Sequence, residues 1–181
     1  MKRLSFAVSL VISSALILAT AASSQNLTLT SDAFAAGGTI APEYTCQGAG
    51  GHKNLSPTLR WTGAPPGVKA FAMTVKDPDA PRGTFVHWVI FNIPSSADSL
   101  RSGEPRTPTL ANGARQGVNS LGNIGYLGPC PPPGPAHHYH FDLTALDASL
   151  KLPAGASAAD LEAASAGHVI GSAELIGTFA R

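Results

Sequence analysis

The sequence predicts a mainly β, single-domain protein with antiparallel pairing, and three observations carry that expectation. Two apolar runs with strand periodicity, 70–76 and 85–93, are joined by a short turn rich in proline and glycine. Gly 19 and Pro 15 among 181 residues favour many turns over long helices. Only one segment, 158–166, carries helix start and stop signals.

In chain order, residues 1–24 read as a secretory signal peptide. Lys2 and Arg3 open it, the chain is apolar from Leu4 to Ala19, and small residues follow around Ala19-Thr20-Ala21. Cleavage is expected after Ala21 or shortly beyond, leaving one domain over 25–181. The alternative, a membrane anchor, is disfavoured because the run falls short of about 20 residues and contains Ser9, Ser13 and Ser14. A periplasmic or secreted protein without stable membrane insertion follows. Asn26-Leu27-Thr28 forms a glycosylation sequon close to the cleavage region. Losing Lys2 and Arg3 from 12 basic residues set against 11 acidic ones moves the net charge from +1 to −1, which gives no footprint for nucleic acid. Strands are expected near 27–31, 58–61, 70–76, 85–93, 138–146 and 172–179.

In the first hairpin Phe71, Met73 and Val75 alternate with Ala72, Thr74 and Lys76. Pro78 and Pro81 remove donors and Gly83 permits φ > 0, so 77–84 must be a turn. Strict alternation places His87 on the face of Phe85, Val89 and Phe91, with Trp88 and Ile90 opposite, as in a central strand covered on both sides. Asp77, Asp79 and His87 then lie at one end of one hairpin. They read either as a shared pocket or as two turn-forming aspartates beside a core histidine satisfied by one hydrogen bond.

Residues 101–125 read as loop. Gly125 to Ala136 is too rich in Pro and Gly for regular structure, and a polyproline ligand competes with an ordered pocket wall for Gly128 to Pro135. In the strand that follows, His137, Tyr139, Phe141 and Leu143 form the inward face, and His138 and His140 point to solvent. The helix has Ser157 as N-cap, Asp160 three residues on, and Gly167 at C′. Cys46 and Cys130 are the two cysteines; after export such a pair is more often bridged than free, and two buried thiols are the alternative. A zinc site made by them with His137 lacks the usual paired spacing.

Three blocks resemble the phosphatidylethanolamine-binding protein family, in its bacterial Raf-kinase-inhibitor-like branch. They are Asn54-Leu-Ser-Pro-Thr-Leu-Arg-Trp61, the Asp77-Pro-Asp-Ala-Pro81 turn with His87-Trp88, and Gly128-Pro-Cys-Pro-Pro132 followed by His137-His-Tyr139. The similarity covers roughly 27–181. It implies an antiparallel two-sheet β-sandwich-like fold with one or two short helices. It also implies a pocket for a phosphorylated ligand, with Asp77, Asp79, Pro81 and His87 on one side and Gly128, Pro129, His137 and Tyr139 on the other. Carboxylates beside histidines favour the imidazolium form, which donates charge-assisted hydrogen bonds to phosphate oxygens. His138 stands where family members commonly carry arginine, and Phe85-Val86 where bacterial relatives often carry paired tryptophans.

A binding protein for a phosphorylated small molecule or phospholipid headgroup is therefore expected, acting on its own or by modulating a protein target, with no cofactor and no catalytic residue. No Gly-x-Ser-x-Gly elbow supports a serine hydrolase. A metal-assisted hydrolase using the His/Asp cluster is one alternative, and a protease or kinase inhibitor acting through its surface is the other. An exported chain would not meet a cytosolic kinase without a further delivery step.

Overall fold

A computed structural model describes residues 26–48 and 54–181. The expected signal peptide lies outside them. Among the described residues the strands are β1 (Thr28–Ser31), β2 (Leu59–Thr62), β3 (Ala70–Asp77), β4 (Phe85–Pro94), β5 (Ser99–Leu100), β6 (Arg115–Gln116), β7 (His137–Leu146) and β8 (Val169–Phe179), with one helix, α1 (Ala158–Ser165), and a 3-10 turn at Pro42–Tyr44. A three-stranded sheet has the order β1-β2-β5, and a five-stranded sheet β6-β4-β3-β7-β8. Neighbouring strands are antiparallel throughout. The two-residue strands β5 and β6, the latter inside the 101–125 segment that reads as loop, are too short to show a period.

The two sheets face each other over the main core. Leu29, Leu59, Trp61 and Leu100 meet Phe71, Met73, Val75, Trp88, Ile90, Phe141 and Leu143 there. A second apolar cluster covers the other side of the larger sheet: Ala72, Val89, Phe91 and Leu146 pack under Leu161 of α1 and under Leu150 and Ala156 of the segment before it. Both faces of β3 and β4 are thus buried, which accounts for their near-continuous apolar runs. Ser157 caps α1 in a capping box, its hydroxyl accepting from the Asp160 N–H while the Asp160 carboxylate accepts from the Ser157 N–H.

Strict alternation fails at His87. Val75 pairs with Trp88 but Lys76 pairs with Val86, so His87 is the extra residue of a β-bulge. The bulge turns His87 to the Trp88 side of the strand, where its ring meets Tyr139 at 5.2 Å and Phe85 at 4.8 Å. Val89 and Phe91, expected beside it, lie on the opposite face. Register slips again between Phe71/Ile93 and Met73/Ile90. There Asn92, at φ 53°, exchanges two hydrogen bonds with the backbone of Leu150 and so ties β4 to the outer layer.

Gln116 locks the far edge. Its Oε1 accepts from Trp88 Nε1 at 2.6 Å, and its Nε2 donates to the carbonyls of Pro105 and Thr107. Residues 37–40 run along β8: Gly37 N donates to Ile176 O, Ile40 N to Thr178 O, and Thr178 N to Gly38 O. Replacing Gln116 by leucine keeps the volume but strands the indole N–H and two carbonyls. Each buried group left unpaired costs about 1–3 kcal/mol, so urea denaturation of Gln116→Leu should show a loss of at least that size. A variant as stable as the parent would mean that the network contributes nothing net.

Candidate functional site

The end of β3, the start of β4 and the start of β7 meet because β3 lies between the other two strands. Asp77, the last residue of β3, is 4% exposed and uses both oxygens. Oδ1 accepts from the Asp79 N–H at 2.9 Å, which shapes the turn, and Oδ2 accepts from His137 Nδ1 at 2.8 Å. The turn closes with Gly83 N donating to Ala80 O at 3.1 Å, and φ of 94° at Gly83 suits the absence of a side chain. Asp79 reaches out of the turn instead. Its Oδ2 accepts from both the backbone N–H and Nδ1 of His138, and these bonds hold its carboxyl below the usual carboxylate range. The two aspartates therefore stitch one turn to two successive residues of β7, inside and outside.

His87 donates from Nδ1 to the carbonyl of Leu127 at 2.7 Å, while the Leu127 N–H returns a bond to the His87 carbonyl. That pair pins the Pro-rich segment to β4. Burial lowers the His87 pKa below its ordinary value; the Leu127 bond and the Asp77 charge push the other way without reversing it. The expectation of an imidazolium at both histidines is thus corrected for His87. Removing a charge from water outweighs a partly shared carboxylate that is already committed to His137.

These residues line a cavity of about 370 Å³. Of the expected ligand residues, Asp77, Pro81, His87, Gly128 and His137 are in its wall. Asp79, Pro129 and Tyr139 are not: Asp79 faces His138, Pro129 accepts a backbone bond from Cys46, and Tyr139 sits fully buried behind His87 with its hydroxyl unpartnered. Burial, with Asp77 and Asp79 adding to it, raises the Tyr139 pKa and keeps the phenol neutral. The wall also holds Asn54, Phe85, Leu121, Leu127, Pro131 and Pro132, which the ligand set had omitted. Asn54 was legible as part of a motif, but only the fold shows its Oδ1 accepting from Gly128 N at 3.0 Å. A Cβ on Gly128 would come within 2.8 Å of Thr45 Cα, so this corner closes only around glycine. Leu121, 62% exposed at the rim, rides on a turn whose N–H groups bond to Asn119 Oδ1.

Cys46 and Cys130 are bridged, and both line the cavity. His138 is exposed and His140 half-buried, the latter bonded to Glu174 at 2.7 Å away from the cavity. Among the described residues, no three His, Cys, Asp or Glu side chains are arranged to hold one metal ion. A second cavity of about 400 Å³ lies across the sheet beside α1, lined by Thr74, Lys76, Asp142, Leu161 and Val169.

The profile of the family described as "Phosphatidylethanolamine-binding protein" matches residues 30–180. A UPF0098 protein of Methanothermobacter thermautotrophicus is 45% identical over 155 residues, covering 86% of this chain and 99% of its own length. LppC of Mycobacterium tuberculosis, described as a candidate lipoprotein, is 39% identical over 160 residues, covering 88% of this chain and 75% of its own. The crystal structure of Escherichia coli YbcL, described as a new member of the mammalian family of that name, superposes with a TM-score of 0.78 at 33% identity, over 86% of this chain and 99% of that one.

The buried, singly bonded His87 gives a direct check. Its imidazole should titrate below about 6.5 by NMR. A histidine whose folded pKa is depressed binds its proton more readily unfolded, so its contribution to stability should shrink as pH falls below that value and be constant above it. Titration of His87 at or above 6.5 would contradict the burial argument.

Proposed function

The chain belongs to the phosphatidylethanolamine-binding protein family, and from that membership we propose that it is an exported binding protein whose cavity takes the phosphate-bearing end of a small molecule or phospholipid headgroup. The observation that carries this reading is the paired use of Nδ1. His87 spends it on Leu127 and His137 on Asp77, so each ring has Nε2 left for a ligand. A neutral His87 offers Nε2 as an acceptor, suited to a P–OH proton or an ammonium group. His137, held at Nδ1 by Asp77, keeps Nε2 for a hydrogen bond to the phosphate group. The apolar rim of Phe85, Leu121 and Pro132 suits the less polar remainder of such a molecule.

Binding of this kind needs matched donors and acceptors rather than a nucleophile. Export is supported by the basic-then-apolar character of residues 1–24, by the disulfide, and by the lipoprotein description of one relative. A modulating role toward a protein target is compatible with a ligand-filled cavity at the surface and adds no residue to the site.

Calorimetric titration with phosphoethanolamine tests the assignment. His137→Ala and Asp77→Asn should each weaken binding by about 1.5–3 kcal/mol, roughly ten- to hundredfold, whereas His140→Ala should not. Equal affinity for all three variants would remove the cavity from consideration. Phosphate-ester hydrolysis that rises with pH and is abolished by chelator would favour the hydrolase instead.

A further inference from the structure

The disulfide occupies an unusual place for a purely structural bond, since its sulfurs help to form the cavity proposed above as the ligand site. It joins two segments that no strand ladder connects. On one side are residues 45–46, and on the other the irregular segment 127–136. That segment contains Pro129, Pro131, Pro132, Pro133 and Pro135, which have no N–H to donate. Its backbone anchors are few: the exchange with His87, Gly128 N to Asn54, Pro129 O from Cys46 N, and Gly134 N to Arg181 O. The covalent bond supplies what the prolines cannot. Cys130 is exposed, and the Arg181 guanidinium lies 3.6 Å from its sulfur, where a cation draws in an approaching thiolate.

We propose that Cys46–Cys130 is a thiol–disulfide exchange site that latches the Pro-rich wall of the cavity, so that reduction by a dithiol opens the wall and releases the ligand. A thiolate of the dithiol attacks Cys130 Sγ, the S–S bond breaks and Cys46 leaves as thiolate. The second thiol of the dithiol then resolves the mixed disulfide, so that the protein gains two electrons and two protons and the dithiol becomes a disulfide. Release rests on the phosphate-binding reading; opening of the wall does not. By linkage, whatever factor reduction costs in affinity, bound ligand must return as resistance of the bridge to reduction at equilibrium.

The test compares the full mature chain oxidised and treated with dithiothreitol, following backbone hydrogen exchange by mass spectrometry and phosphoethanolamine affinity by calorimetry. Reduction should speed exchange at Leu127, Gly128, Cys130 and Gly134 while β3, β4 and β7 stay protected. Affinity should drop at least fivefold and recover on reoxidation. The Cys46→Ser/Cys130→Ser variant should behave as the reduced protein and ignore dithiothreitol. Unchanged exchange in the wall overturns the latch, and so does loss of protection across the whole chain, which would make the bridge a global staple. If the oxidised protein binds no phosphoethanolamine, the ligand reading fails by itself, and local opening on reduction still decides for or against the latch.

Discussion

The site end of this molecule depends on one carboxylate. Asp77 terminates the central strand of the larger sheet and gives one oxygen to its own turn and the other to a histidine 60 residues away. Each bond restricts the carboxylate in favour of the other. The turn fixes the carboxylate's orientation, and the His137 ring needs a preset acceptor to be held in a single tautomer. Because the group is buried and doubly bonded, both partners resist displacement, and the cavity inherits a rigid floor. Asp79 repeats the device two residues along on the wet side, where the same bonds contribute less because water competes for them.

Packing explains why such a floor can be rigid. β3 and β4 are covered on both sides, by the opposing sheet and by α1 with the 150–156 segment. Their side chains have little room to repack, so a bulge there is a fixed displacement rather than a loose spot. The disulfide, spanning 84 residues of sequence, adds up to about 4–5 kcal/mol by chain entropy. Its placement beside the cavity matters more than that sum. It restrains the segment with the fewest available donors.

Much of this was legible in the residues. Alternation located the long strands to within a few positions, Ser157 and Asp160 announced the cap of α1, and three motif blocks pointed to the cavity. The inward turn of His137 followed from period two. The position of His87 did not, because an extra residue inside a ladder changes the face of a side chain without changing composition, and nothing in Phe85-Val86-His87-Trp88 marks it. The charge state of His87 escapes the sequence for a related reason: a nearby carboxylate is visible there, whereas the burial that outweighs it is not. Gln116 and Asn54 act through long-range contacts that leave no local pattern. Tyr139 was grouped with the ligand residues by its motif, yet the fold places its ring behind His87 as support.

The strip formed by residues 37–40 along β8 has a bearing on how crowded molecules meet. A sheet edge with unpaired amides is a template on which another chain can lengthen the sheet, and the strip occupies that template over Ile176 to Thr178. The opposite edge, β6, is two residues long and held by Gln116. Growth by strand addition is thereby blocked at the end nearest the cavity. The 169–174 stretch of β8 lies beyond the strip and carries the exposed side chains of Val169 and Ile170. On the β8 side, a second chain that lengthens the larger sheet would have to pair there.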